Sequence, residues 1–288
     1  MWILRKKKSG MKPEWLNKKI ALKDCAQMKQ RLRSLHLETV CEQAMCPNIA
    51  ECFREKVATF LILGKNCTRS CSFCNVHKAA PSAVDKTEPQ RVAQAVALLG
   101  LKHAVITSVT RDDLSDGGAG IFADTVKEIN LKNPGVCVEL LIPDFKLSVA
   151  ALKTVVESRP QILAHNLETV PALYAAVRQG ADYARSLELL SLVKKMDPQL
   201  KTKSGLMLGL GEKTEEVISV MRDLRAKGCD LLSIGQYLSP SRQHYPVKEY
   251  IRPEQFADYA QEALRLGFMH VQSAPYVRSS YMADKYLS

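Results

Sequence analysis

From residue 58 onward, short runs rich in aliphatic and β-branched residues alternate with longer amphipathic segments. No other feature constrains the fold as much. The strand candidates are ATFLILG (58–64), HAVITSV (103–109), VCVELLIP (136–143), ILAHNLE (162–168), SGLMLGL (204–210), LLSIGQYL (231–238) and MHVQSAP (269–275). Helix candidates lie between them, among them PQRVAQAVALLG, AGIFADTVKEIN, SVAALKTVVES, TEEVISVMRDLRAKG and PEQFADYAQEALRLG. The last two close on Gly228 and Gly267, as helix C-termini often do. Such alternation predicts a parallel sheet covered by helices. The strand candidates occupy roughly 220 residues, short of the ~250 typical of a closed eight-stranded barrel. A doubly wound sheet would need a G-x-G-x-x-G turn, which the chain lacks. The expectation is therefore a partial barrel, with functional residues in the loops after the strands. Three parts are expected: an N-terminal helical extension over 1–57, the barrel over 58–275, and a C-terminal segment over 276–288.

Directly after the first strand candidate comes GKNCTRSCSFCNVH (64–77), with Cys67-x3-Cys71-x2-Cys74. A second triad precedes it in TVCEQAMCPNIAECF, as Cys41-x4-Cys46-x5-Cys52. Nine cysteines with no export signal, six of them within 34 residues, point to metal or redox chemistry rather than to disulfides. Two readings fit the later triad. One is a structural zinc site completed by His77. The other is a [4Fe–4S] cluster, which normally takes four thiolates and with three leaves one iron open. The earlier triad has a spacing unlike common zinc ribbons, and buried structural cysteines are its plain alternative. Cys25, Cys137 and Cys229 are expected to be ordinary small residues.

Composition narrows the class. The chain of 288 residues is 46% hydrophobic and 25% charged, as a globular protein is, and no apolar run approaches the ~20 residues of a membrane span. A cytoplasmic protein is expected, with no membrane partner. The net charge of +11 is concentrated in residues 1–33, where eleven Lys or Arg face only Glu14 and Asp24. A nucleic-acid binder more often carries its basic residues on the folded body, so no nucleic-acid partner is expected. The basic arm is either a solvated tail or a dock for an acidic partner.

Phe73 precedes Cys74, and the Cys67/Cys71/Cys74 spacing resembles the signature of the radical S-adenosylmethionine superfamily. With CPNIAEC before it and RSSY (278–281) near the end, the chain resembles the lipoyl synthases within that superfamily. The likeness runs from about Lys12 to Asp284 and includes VTRDDLSDGGA, AHNLETV, SGLMLGLGE and GQYLSPSRQHYPV. It implies an α/β fold, a partial TIM-type (β/α)6 barrel, and two [4Fe–4S] clusters with S-adenosylmethionine as cofactors. By this resemblance Cys67, Cys71 and Cys74 hold the catalytic cluster, whose open iron binds the amino and carboxylate groups of S-adenosylmethionine. A 5′-deoxyadenosyl radical then takes hydrogen from an unactivated C–H bond. The second cluster, implied to be held by Cys41, Cys46, Cys52 and Ser280 (Ser279 being the alternative), gives up sulfur. Oxygen is a harder ligand than thiolate, so an iron held by serine should leave more readily. The implied reaction inserts two sulfur atoms at C6 and C8 of an octanoyl group on a lipoyl-carrier protein, a lipoyl domain or glycine-cleavage H protein. It also needs a low-potential electron donor. The basic arm could help capture the carrier.

The resemblance puts Asn166 and Glu168 near the cofactor's ribose or methionine part, although Glu168 also suits a helix start. It puts Arg185 and Ser186 beside the cofactor carboxylate, where an arginine fork fits, and a helix-surface arginine is the alternative. Gly209 and Gly211 could let backbone approach the ligand or could serve a tight turn, and Gly117, Gly118 and Gly120 share that ambiguity. None of the six histidines forms a paired metal motif. Two rivals stand. One is a radical enzyme of the biotin synthase or methylthiotransferase kind, against which the 41/46/52 triad and RSSY argue. The other is a zinc-stabilised interaction or nucleic-acid module.

Overall fold

A computed structural model of the chain describes residues 12–17, 23–44 and 46–286. Most of the basic arm's first 22 residues lie outside them, so the carrier-docking expectation does too. Among the described residues, seven parallel strands form one sheet in sequence order. They are β1 (Val57–Ile62), β2 (His103–Ser108), β3 (Cys137–Leu141), β4 (Ile162–Ala164), β5 (Lys201–Leu208), β6 (Leu231–Gln236) and β7 (His270–Ser273). Six longer helices connect them, with a one-turn helix (Tyr174–Val177) before the fourth: α1 (Glu88–Leu99), α2 (Ala119–Lys132), α3 (Val149–Glu157), α4 (Tyr183–Met196), α5 (Thr214–Ala226) and α6 (Pro253–Arg265). The architecture is the expected α/β partial barrel of six strand–helix units, with β7 added at the open edge. The other edge, on β1, is covered by a two-residue antiparallel strand, Glu38–Thr39. No pairing closes β7 onto β1 among the described residues. Nor is any helix among them long and apolar enough to cross a membrane.

Period-2 alternation sorts the strand residues by face. Ala58, Phe60, Ile62, Ala104, Ile106, Leu232 and Ile234 join Val92, Phe122, Val126, Val155 and Phe256 of the helices in one buried core. The other face looks inward and mixes apolar with polar side chains: Val57, Thr59, His103, Val105, Glu139, Lys203, Leu231 and Ser233. Helix starts follow local chemistry. Ser148 accepts from Ala151 N–H at 3.3 Å and Asp182 from Arg185 N–H at 2.7 Å, each satisfying a free donor of the first turn. Gly228 and Gly267, with φ of +80° and +94°, follow α5 and α6 in the left-handed conformation expected there.

The chain's last segment fills the inner face. Ala283 packs with Val57 and Val105, and Tyr286 with Ile162 and Leu231. Lys203 and Glu139 are both fully buried; Lys203 Nζ donates to the two Glu139 oxygens at 2.9 and 3.2 Å and sits 3.7 Å from the centre of the Tyr286 ring. Burial by itself would neutralise Glu139, but the neighbouring Lys203 charge and His103 hold its pKa below the usual value. Such a pair adds little net stability, yet removing one partner strands the other's charge. Upstream of Ala283, the Val277 carbonyl lies so close to Gly235 of β6 that a side chain there would collide with it. Asn48 Nδ2 donates to the Tyr276 carbonyl at 2.6 Å, and Tyr276 Oη donates to the Leu16 carbonyl. The two ends of the chain are thereby knitted together against β1.

Candidate functional site

The earlier cysteine triad forms a pocket. Cys41, Cys46 and Cys52 line this pocket together with Asn48, Val57, Thr59, Arg278, Ser280 and Tyr281. Short helices over Val40–Gln43 and Ile49–Arg54 carry two of the thiols; Thr39 caps the first, accepting from Glu42 N–H at 3.3 Å. Thr59 Oγ1 donates to Ser280 Oγ at 2.8 Å, which holds that hydroxyl at the pocket wall. The adjacent Ser279 points elsewhere, its Oγ donating to Asn166 Oδ1 at 3.1 Å. Burial, then repulsion from Cys46 and Cys52, pushes the Cys41 thiol up to about 12, against weaker hydrogen bonds from Thr59. A thiol so placed ionises only when a cation takes its proton's place.

This donor set fits an iron–sulfur cluster. Three thiols surround the space with the hydroxyl-bearing Thr59, Ser280 and Tyr281 and the Arg278 side chain, and its lining holds no carboxylate. Soft thiolates with one oxygen select iron–sulfur or zinc rather than hard cations. No three His, Cys, Asp or Glu side chains among the described residues converge on a single-ion position.

The later triad lies in the loop after β1, at the carboxyl end of the sheet. Cys67 Sγ accepts N–H bonds from Thr110 at 3.3 Å and Arg69 at 3.5 Å, and Cys71 Sγ lies 3.9 Å from the Gln179 carbonyl. Burial raises the pKa of Cys71, opposed by the Arg178 charge, and burial raises that of Cys74 to about 11. The loop is braced on several sides. Thr68 and Thr110 bond through backbone at 3.0 Å, Ser72 N–H donates to the Val177 carbonyl at 3.0 Å, and Tyr245 N–H donates to Ser72 at 2.9 Å. His77 is exposed in a short parallel pairing with Asn66. These thiols, gathered on one loop with amide donors to sulfur, also fit a cluster.

Glu168 joins this group: its negative charge is felt by Cys71 and Cys74, and burial raises its own pKa against Arg178 and Asn166. Asn166 Nδ2 donates to Glu168 Oε1 at 3.0 Å. Glu168 has a φ of +68°, fixed by a bridge to Leu206 of β5. Ser186 is fully buried and faces a polar network rather than open space. Its Oγ donates to His165 Nε2 at 3.1 Å and accepts from Arg178 Nη1 at 3.0 Å. Because His165 Nδ1–H donates to the Ile142 carbonyl at 2.9 Å, Nε2 carries the lone pair. Arg185 turns toward Asp144, with Nε donating at 2.9 Å. Gly209, at φ +93°, is pressed against the Glu249 carbonyl and Gln236, so protein packing already requires a glycine there. Gly211, at φ +114°, lies beside Lys248.

Several polar residues of the site carry no short-range spacing. Arg69, inside the cysteine loop, donates to Asp112 through Nε and Nη2 (2.7 and 2.9 Å) and to Asp144 through Nη1 and Nη2 (3.0 and 2.7 Å). Arg178 donates through Nη1 to Tyr174 Oη at 2.9 Å. The available signal was positional: Asp112 and Asp144 each follow an apolar strand closely, at the end where barrel sites form.

Comparison with known proteins identifies relatives of the chain. The sequence matches the Radical SAM superfamily over residues 61–224. A protein of Geobacter sp. (strain M21) named lipoyl synthase is 59% identical over 276 residues, covering 96% of this chain and 94% of that protein. Proteins of the same name from Trichlorobacter lovleyi and Alkaliphilus metalliredigens are 59% and 56% identical, covering 96% of this chain and 98% and 96% of their own lengths. Among solved structures, methylornithine synthase has a TM-score of 0.55 at 15% identity, over 89% of this chain and 87% of its own. Streptococcus suis SuiB bound to its precursor peptide has a TM-score of 0.60 at 10% identity, over 92% of this chain and 56% of its own. At such identities these two speak for the fold alone.

Proposed function

This chain belongs to the lipoyl synthase family of the radical SAM superfamily, and from that membership we propose that it inserts two sulfur atoms, at C6 and C8, into a protein-bound octanoyl group. The carrying observation is that one molecule holds two separate cysteine triads, one on the loop after β1 and one sharing a pocket with Ser280.

In this reading Cys67, Cys71 and Cys74 hold a [4Fe–4S] cluster with an open iron, and Cys41, Cys46, Cys52 and Ser280 hold a second. When bound, the first supplies an electron to cleave S-adenosylmethionine and the second supplies sulfur. The chain's own residues do the rest. Thr110 and Arg69 amides donate to the Cys67 sulfur and fix its position on the loop. Glu168 and Asn166 face the cofactor side of the thiol loop and are the residues to hold its polar groups. Arg185 and Ser186 belong to the α4 start that would meet the cofactor carboxylate, Arg185 directly and Ser186 through Arg178. Gly209 and Gly211 shape the turn after β5. Thr59 orients the Ser280 hydroxyl toward the pocket. The three-part division at 57/58 and 275/276 follows the same logic, since both chain ends serve the second pocket. A lipoyl-carrier protein is the substrate, a low-potential donor supplies electrons, and the reaction is cytoplasmic.

The test is iron and sulfide analysis with EPR on anaerobically reconstituted protein, wild type beside a Cys67/Cys71/Cys74→Ala triple variant, followed by an octanoyl-peptide assay. About eight irons falling to about four is expected, two clusters of four. One zinc and no iron would overturn the reading and leave the interaction-module alternative.

A further inference from the structure

Asp144 follows β3 by three residues and has no exposed surface. Its carboxylate accepts four N–H bonds: Arg69 Nη1 and Nη2 at 3.0 and 2.7 Å, Arg185 Nε at 2.9 Å, and the Lys146 backbone at 3.1 Å. Four bonds fill the acceptor capacity of a carboxylate. Burial alone would favour the neutral acid, yet the Arg69 hydrogen bonds and charge hold its pKa far below the usual range. Asp144 is therefore a fixed negative charge shared by two arginines that lie far apart in sequence.

Those arginines belong to different parts of the site. Arg69 lies between Cys67 and Cys71. Arg185 lies in the first turn of α4, partly exposed, with Nη2 on the Gly180 carbonyl at 3.1 Å. Arg69 also packs against Gly180, whose Cβ would sit 3.6 Å from Arg69 Cδ. The side-chain hydrogen bonds of Asp144 go to Arg69, Arg185 and Lys146, not to a cysteine. On the other side Arg69 is held by Asp112, so removing Asp144 leaves Arg69 one carboxylate partner instead of two and cuts its link to Arg185, while the backbone braces at Thr68 and Ser72 remain.

We infer that Asp144 is a positioning residue that fixes the cysteine loop and Arg185 relative to one another, so that cofactor binding and retention of the catalytic cluster depend on one buried carboxylate. The inference rests on Cys67, Cys71 and Cys74 holding the cluster that binds S-adenosylmethionine. Oδ2 accepts from both arginines, and Oδ1 accepts from Arg69 Nη2 and the Lys146 amide. Asparagine would keep the shape of Asp144 but lose its charge, and its NH2, in place of one of these oxygens, would face donors it cannot accept from.

The experiment uses the anaerobic holoenzyme. S-adenosylmethionine is titrated against the EPR spectrum of the reduced catalytic cluster, and the half-life of that signal is followed in a ferrous-iron chelator. Asp144→Asn is expected to weaken cofactor binding about tenfold and to shorten the half-life at least threefold. Arg185→Gln weakens binding but leaves the half-life within twofold, and Arg69→Gln shortens the half-life. Adding Arg185→Gln to Asp144→Asn costs less than twofold more in binding, because the two act through one contact. The inference is overturned if Asp144→Asn changes neither quantity by twofold, or if the two substitutions multiply in full. Should Asp144→Asn fail to fold, Arg69→Gln and Arg185→Gln with their double variant carry the same test. Coupling of threefold or more supports the shared carboxylate, and plain multiplication overturns it. A wild-type protein that takes up no iron, or whose spectrum ignores S-adenosylmethionine, overturns the proposed function instead.

Discussion

Ser279 and Asn166, 113 residues apart, are joined by a 3.1 Å hydrogen bond from the serine hydroxyl to the amide oxygen. The other end of the same amide donates to Glu168. Asn166 thus stands between the RSSY segment and the carboxylate beside the cysteine loop. Gly205 makes room for it, since a Cβ there would lie 2.9 Å from Asn166 Oδ1. The bond also distinguishes two adjacent serines, of which the resemblance had favoured Ser280: Ser279 is committed to the barrel, and Ser280 lines the pocket with the thiols.

The two serines should therefore differ under substitution. Ser280→Ala is expected to lower iron content below that of the wild type and to abolish product, while cleavage of S-adenosylmethionine continues. Ser279→Ala should retain its iron and lose about 1 kcal/mol of stability, the worth of one hydrogen bond. Iron and sulfide analysis after desalting, with urea unfolding, distinguishes them; iron loss in Ser279→Ala alone would reverse the assignment.

Gly235 offers a test of how tightly the C-terminal segment is seated. Alanine there meets the Val277 carbonyl, and overpacking against backbone costs about 1–3 kcal/mol. Because Val277 lies three residues before Ser280, iron in the second pocket should fall as well. Gly135→Ala is the control: at φ +87° with no atom within 4 Å, it bears only left-handed strain of about 1–2 kcal/mol. Both variants lower the urea midpoint, but only Gly235→Ala should change iron stoichiometry. Equal iron in the two would mean that the segment yields without disturbing Ser280.

His165 makes stability depend on pH. Burial, then the Arg178 charge, pulls its pKa down from 6.5 to about 3. The folded protein keeps the ring neutral, whereas the unfolded chain takes up a proton below about 6.5. The unfolded state then binds more protons, so this contribution is complete above pH 6.5 and is lost as pH falls toward 3. The slope is at most about 1.4 kcal/mol per pH unit. His165→Gln removes the titrating group and should flatten the decline of the urea midpoint between pH 6.5 and pH 5. Parallel declines in the two proteins would show that His165 is not its source.

The sequence revealed most where chemistry has a short period. The strand–helix order was readable because Phe60, Ile106 and Ile234 alternate with neighbours facing the other way. The cysteine triads were readable because thiols close together in the chain carry their spacing with them. The inner face was harder to read. His103, Glu139 and Lys203 break the apolar pattern of their strands, and they make sense only beside one another and Tyr286, which no local window joins. Asp144 was silent for the same reason: Arg69 is 75 residues away and Arg185 is 41. Gly209 could equally have served a ligand or a turn until the Glu249 carbonyl was seen against it.

The pocket around Cys41 draws its walls from positions 41–59 and 278–281. During synthesis the thiols leave the ribosome early, and they wait through more than two hundred residues before Arg278, Ser280 and Tyr281, the last part of the wall, exist. The loop at Cys67–Cys74 has no such delay from the C-terminus, because its braces end at Tyr245. Translation itself therefore imposes an order, in which the walls around Cys41 cannot be complete before the segment carrying Arg278, Ser280 and Tyr281 has been made.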